Sequence, residues 1–238
     1  MKLLAVETSA TSASCCITED GCVRSQAAVH TKLTHSQTLM PMIDAVLSCA
    51  ALTMQDIDRL AVAVGPGSFT GIRIGVAAVK GLAFPKNLPC AAVSTLEAMA
   101  ALTEGLPFDG LVCPVMDARC QQVYTALFDH VGGHVSRLTP DGALPIADLE
   151  TALALRDRPV YLLGDGAELV YNALRGRIPA LTLAPPAMRY QNAVGVASVA
   201  ERMAAEAFVS PDRLLPVYLR PPQAERELKA RQAAKGDA

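Results

Sequence analysis

The sequence predicts two α/β lobes of one design, each with a mixed sheet flanked by helices. Three observations predict this. Strand-like runs open each half, the order β-β-β-α-β-α-β-α is complete near residue 105, and the same order then begins again. A repeat unit of about one hundred residues is too long for a solenoid, so duplicated lobes are the reading. The lobes are assigned to 1–105 and 106–220, and 221–238 to a charged, Ala-rich surface helix.

The elements follow in order. Leu3 to Thr8 and Ser12 to Thr18 are short, apolar and β-compatible, with a small-residue turn between them. Gly21 turns the chain into a third strand near Cys22 to Val29. A helical pattern from about Ser36 to Ala50 leads to a strand from Arg59 to Val64. A glycine-rich loop opens a second helix that Pro85 stops after Phe84. "PCAAVS" is a strand and "TLEAMAAL" a helix. In the second half, Leu111 to Asp117 and Gln121 to Asp129 are strands around a tight turn, and Gly132-Gly133 turns into a third. A helix near Ile146 to Leu155, a strand from Val160 to Gly164, the helix "AELVYNAL" and the strand "LTLAP" come next. A long helix from about Gln191 to Phe208 completes the pattern.

Composition narrows the class. A chain of 238 residues that is 51% hydrophobic with a net charge of −2 reads as soluble and globular. No run approaches the ~20 apolar residues that span a bilayer, and the N-terminus lacks a signal-peptide cleavage pattern. The seven cysteines are an odd number without C-x-x-C spacing, which suits a reducing cytoplasm. Cys49, Cys90 and Cys113 sit in apolar runs and read as small hydrophobes. The near-neutral charge argues against a large nucleic-acid footprint on this chain alone.

The stretch "AVGPGSFTGIRIGVAAVKGLAF", Ala63 to Phe84, places a glycine loop between a strand and a helix N-terminus. The first amides of a helix lack partners, so this geometry suits an anion, with Ser68 and Thr70 able to cap the helix or touch a phosphate. Gly65, Gly67 and Gly71 form G-x-G-x-x-x-G, which is neither a P-loop nor the dinucleotide fingerprint. Gly71 and Gly75, four apart, would equally serve close helix packing. Turn geometry and ligand contact both remain open on these residues.

"AVETSATSAS", "GPGSFTGIRIGVAAVKGLAF", "VMDARCQQVYTALF" and "PVYLRPP" closely resemble the bacterial TsaB (YeaZ) family, and the resemblance covers most of the chain. It implies the duplicated two-lobe actin/sugar-kinase/Hsp70-type fold. It also implies a part in making N6-threonylcarbamoyladenosine at position 37 of tRNAs that read codons beginning with A. There this chain would be the non-catalytic partner of TsaD, which transfers the threonylcarbamoyl group, with the small ATPase TsaE docking on the pair and tRNA reached through the complex.

The resemblance also locates what is missing. TsaD carries two metal-binding histidines where this chain has Thr95 and Met99 within "CAAVSTLEAMA". A thioether and a hydroxyl are poor ligands, and Glu97 alone makes no metal site, so no metal is expected. His130 and His134 have H-x-x-x-H spacing, but Gly132-Gly133 predicts a hairpin with both histidines at an exposed turn. His30 and His35 flank the first helix without a carboxylate cluster, and His35 reads as a first-turn or interface residue.

For nucleotide handling, Glu7 and Asp117 stand where kinase-like members of the fold place metal-nucleotide aspartates. Glu7 is followed by "TSATS" rather than a glycine turn, and Arg119 would pair with Asp117. The expectation is no cofactor held tightly by this chain. ATP or ADP contact is confined to the interface of a complex, with Glu7, Gly65, Gly67, Ser68 and Thr70 as the loop that would meet it. The rival reading is a stand-alone enzyme of the same fold, either a metal-dependent glycoprotease-like hydrolase or a kinase-like ATPase.

The first helix, "HSQTLMPMIDAVLSCAAL", is apolar around most of its circumference. Its Leu39, Ile43, Val46 stripe either fills the core or meets a partner. In the resembled family this helix and the glycine-loop helix meet the same pair in TsaD or in a second copy. The expected interface is Leu39, Met42, Ile43, Val46, Gly71, Gly75 and Ala78.

Overall fold

The computed structural model describes residues 1–220, so the helix expected over 221–238 lies outside the described residues. The first half consists of β1 (Lys2–Glu7), β2 (Ala13–Glu19), β3 (Cys22–Val29), α1 (His35–Cys49), β4 (Arg59–Gly65), α2 (Phe69–Ala83), β5 (Cys90–Ser94) and α3 (Thr95–Ala101). The second half consists of β6 (Gly110–Asp117), β7 (Gln122–Thr125), β8 (Phe128–Val131), β9 (His134–Arg137), β10 (Gly142–Pro145), α4 (Ile146–Ala154), β11 (Val160–Leu163), α5 (Ala167–Leu174), β12 (Leu181–Leu183), α6 (Pro186–Arg189) and α7 (Ala193–Arg202).

Duplication is explicit in the sheets. The first has the order β3-β2-β1-β4-β5. β1, β4 and β5 run parallel, while β2 and β3 fold back antiparallel. The second has the order β10-β7-β6-β11-β12, with β8 continuing beyond β7 along the start of β6 and β9 beside β8. Taken as third, second, first, fourth and fifth strands, the two orders are the same. This is the actin/sugar-kinase/Hsp70-type α/β fold.

One expected strand is broken. Gln121 to Asp129 divides into β7 and β8 because Pro114, at the middle of β6, has no N–H for the ladder. Its carbonyl is taken by the Thr125 hydroxyl at 2.8 Å instead. The long helix expected over Gln191 to Phe208 is also shorter, ending at Arg202. Beyond it the chain leaves α-helical geometry, with a single 3-10 turn at Ala205–Ala207, and Val209 pairs with Cys90 at the sheet edge through bonds of 2.8 and 2.9 Å.

Both faces of the first sheet are covered, and strand alternation sorts the side chains. Leu4, Val6, Leu60 and Val62 pack under α1 and α2. Leu3, Ala5, Ala61 and Ala63 pack against the small residues of α7. The final helices of the two halves cross between the sheets. α7 lies on the first sheet, and α3 sends Leu96 and Met99 onto Val112, Met116 and Phe128 of the second lobe. The crossing is close, since a Cβ at Gly195 would lie 2.0 Å from the Ala98 carbonyl.

Among the described residues no helix is long and apolar enough to cross a membrane. Cys90 and Cys113 are buried, and burial pushes their thiols up to about 11 and about 12. Cys49, read from its apolar run as a small hydrophobe, is exposed on the outer side of α1.

Candidate functional site

Two places collect the residues singled out from the sequence, the cleft between the lobes and the face of α1 and α2. The cleft, a cavity of about 350 Å³, lies where β1, β4 and β6 end. Ser9, Ser68, Met116, Asp117, Arg119 and Asp165 are among its walls.

Glu7 ends β1 and is 1% exposed. Its Oε1 accepts the Ser9 N–H at 2.5 Å, while Oε2 has no partner among the described residues. Burial pushes the carboxyl up to about 7, the Asp165 charge adds to the rise, and the Ser9 bonds oppose it. Asp165 is likewise raised by burial, against a 2.9 Å bond from the Gln191 amide.

The sign for stability follows. An unfolded carboxyl ionises near 4.5, whereas the folded one keeps its proton to about 7, so folding binds a proton between these values. Stability referable to Glu7 is intact below pH 4.5, falls as pH rises to 7, and stays reduced above it. Glu7→Gln, which keeps the Ser9 contact without the charge, should gain about 3 kcal/mol on wild type between pH 4 and pH 8. Urea unfolding of both proteins across that range measures it, and a pH-independent gap would mean that Glu7 is already ionised in the fold.

The glycine loop does not stand open as a cradle. The Ser68 N–H donates to the Ser9 carbonyl at 2.6 Å, and a Cβ at Gly67 would lie 2.3 Å from that same oxygen. Ser68 then caps α2 by accepting from the Gly71 N–H at 3.3 Å. Glu7, Gly67 and Ser68 are thus brought together around the β1–β2 turn, while Gly65 lies against Val217. Thr70 is exposed in the first turn of α2. On the opposite lobe Asp117 accepts the Arg119 N–H at 2.7 Å and its guanidinium at 3.4 Å, the ion pair that the adjacent residues suggested.

The helix face requires correction. Leu39, Met42, Ile43 and Val46 are 0–7% exposed and lie in the chain's own core against β1, β2 and β4, so they are not available to a partner. Gly71 and Gly75 also face inward, where a Cβ would lie 2.1 Å from the Thr8 carbonyl and 2.3 Å from its hydroxyl, respectively. Ala78 is half-buried against the same core. Exposed on α1 are Ser36, Gln37, Met40, Pro41, Asp44, Ala45, Ser48 and Cys49, and exposed on α2 are Thr70, Arg73, Ala77 and Gly81.

Among the remaining candidates, Thr95 and Met99 are both buried in α3, and the described residues contain no His/Cys/Asp/Glu group arranged to hold a metal. The hairpin at Gly132-Gly133 is present, but only His134 is exposed. His130 is fully buried, stacked on Phe108, with its ring nitrogens 2.7 and 2.9 Å from the Phe108 and Thr103 carbonyls. His35 fixes the start of α1 by a 2.7 Å contact with the Ala10 carbonyl. His30 meets Tyr190 edge-on. Sequence reasoning missed Asp165. The signal was the repeat itself, because Asp165 follows the fourth strand of the second half as the glycine loop follows that of the first.

Comparison with known proteins gives consistent results. Residues 23–156 match the family model described as TsaD, tRNA N6-adenosine threonylcarbamoyltransferase. The tRNA threonylcarbamoyladenosine biosynthesis protein TsaB of Bacillus subtilis is 38% identical over 169 residues, 71% of this chain and 73% of that one. Its namesake in Escherichia coli is 36% identical over 126 residues, 53% of this chain and 54% of that one. A crystal structure from Pseudomonas aeruginosa, described as similar to the peptidase YeaZ, superposes with a TM-score of 0.76 at 27% identity. It covers 92% of this chain and 99% of that one.

Proposed function

The chain belongs to the TsaB (YeaZ) family of tRNA threonylcarbamoyladenosine biosynthesis, and from that premise we propose that it is the non-catalytic subunit that binds a TsaD-like transferase. The observation that carries this reading is the outer face of α1 and α2. The core uses only the inner stripes of these helices, which leaves Ala45, Ala77 and Gly81 outside as a small-sided surface that another helix pair can approach closely. Buried Thr95 and Met99 at the positions of the transferase's histidines, and a glycine loop filled by the β1–β2 turn, support the same reading.

In this proposal the complex acts on position 37 of tRNAs that read codons beginning with A. A TsaE-like ATPase docks on the pair, tRNA is held by the assembly, and ATP or ADP is met at the subunit interface. A second copy of the chain would compete for the same face.

Ala77→Glu tests it. In the free chain the carboxylate is solvated and the thermal melt should be unchanged. Buried against an apolar partner surface, it costs several kcal/mol, weakening binding about a hundredfold or more. Calorimetric titration with the TsaD-like subunit reads this directly, and full-strength binding by the variant would remove this face from the complex.

A further inference from the structure

The segment Leu214–Arg220 forms no helix or strand, yet it is held on both lobes. Leu214 is fully buried in the first-lobe core. The Val217 N–H donates to the Val64 carbonyl at 2.8 Å. Glycine is required beside it, because Gly65 has φ +125° and a Cβ there would lie 2.4 Å from the Val217 carbonyl. Tyr218 packs on Phe69 with ring centroids 4.7 Å apart. Its hydroxyl accepts from Arg73 Nε at 2.9 Å, and the same guanidinium lies 3.9 Å over the Phe69 ring. On the second lobe, Arg220 donates to the Ala118 carbonyl at 2.8 Å. That carbonyl opens a turn in which Arg119, Cys120 and Gln121 all take left-handed φ of +55° to +66°, a conformation that persists only when its surroundings hold it.

Val217, Tyr218, Leu219 and Arg220 together form one wall of the interlobe cleft. We propose that Leu214–Arg220 is a latch across the cleft. Its catch of Arg73, Phe69 and Tyr218 on one lobe and the Arg220–Ala118 contact on the other hold the lobes together over the inner wall of the cleft, and Met116 in that wall meets solutes only when the catch lets go. The construction suits a switch. The catch is one hydrogen bond, one ring stack and one cation–π contact at a part-exposed site, each a factor of about two to ten in an equilibrium. Among the described residues its backbone joins a strand only through the Val217 bond to Val64 of β4, so these few contacts set its closed population. Arg73 also stands on the outer face of α2, so the inference concerns the free chain and its readouts are taken without a partner.

The test uses the full chain and two readouts, hydrogen exchange at the Val217 amide and oxidation of Met116 by hydrogen peroxide. Met116 lines the cleft at 2% exposure, and Met42, in the first-lobe core, is the internal control. In Tyr218→Ala both Val217 exchange and Met116 oxidation should rise about tenfold, the loss of about 1.4 kcal/mol from the catch, with Met42 at its wild-type rate. Tyr218→Phe, which keeps the stack and loses the hydroxyl, should give a smaller rise in both. Leu215→Ala, at an exposed position of the same segment, should change neither.

If Val217 exchange accelerates while Met116 stays protected, the segment is a surface loop with no hold on the cleft and the proposal fails. It fails equally if neither readout moves. Should Tyr218→Ala also speed Met42 oxidation, the fold as a whole has loosened. Tyr218→Phe then decides, and Met116 at the wild-type rate in that variant overturns the latch.

Discussion

Ile43→Glu is expected to destroy the stable fold of the isolated chain. Ile43 is 0% exposed, in the cluster that joins α1 to β1, β2 and β4. The substitution gives up about 2–3 kcal/mol of apolar burial. It also places a carboxyl among Leu4, Val6, Leu39 and Val62, where unpaired burial costs several kcal/mol more. The sum exceeds about 5 kcal/mol, against a total of about 5–15 for an ordinary domain. The variant should aggregate or melt far below wild type by circular dichroism, whether or not a partner is present. Leu39→Glu, at 1% exposure in the same cluster, should behave alike. A native-like melt for either would mean that this stripe does not face the sheet.

The glycines of α2 should give a graded series. At Gly71 a new Cβ would stand 2.1 Å from a backbone oxygen, that of Thr8, which can yield only if the helix moves off the β1–β2 turn. Gly71→Ala should therefore cost about 3 kcal/mol, the upper part of the usual overpacking range. For a chain of this length that is a loss on the order of 10 °C in Tm. At Gly75 the obstacle is the Thr8 hydroxyl at 2.3 Å, a side-chain atom that can rotate away. Rotation would sacrifice its 2.8 Å bond to the Gly71 carbonyl, so Gly75→Ala should cost about 1–2 kcal/mol. Nothing lies within 4 Å of a Cβ at Gly81, where alanine should stabilise by about 0.5–1 kcal/mol through helix propensity alone. Differential scanning calorimetry of the three variants gives the order, and equal effects at Gly71 and Gly81 would contradict the close approach of α2 to Thr8.

Much of the architecture was legible before any coordinates. Strand runs, turn glycines and Pro85 mark their own elements, because backbone preference and hydrophobic period act within a few residues. The duplication follows from those local signals in series, and "GPGSFTGIRIG" with "VMDARCQQVYTALF" carries the family. The replacement of the histidine pair by Thr95 and Met99 is likewise written in the chain, since ligand chemistry belongs to the residue type.

Only the tertiary structure decided which way each face looks. A helix apolar on most sides carries no mark of which stripe meets a sheet, so Leu39, Ile43 and Val46 fit a core or an interface equally well until β1, β2 and β4 are placed beneath them. Glycine behaves similarly. Gly71 and Gly81 are alike in sequence, yet one touches the Thr8 carbonyl and the other open space. The break at Pro114, the end of α7 at Arg202 and the burial of His130 depend on partners distant in the sequence, as does the crossing of Leu214–Arg220 from one lobe to the other. Period and propensity are local properties of a chain. Which surfaces are excluded from water, and which segment walls which cleft, is settled by contacts between parts of the chain far apart in sequence, whose free energy no local pattern contains.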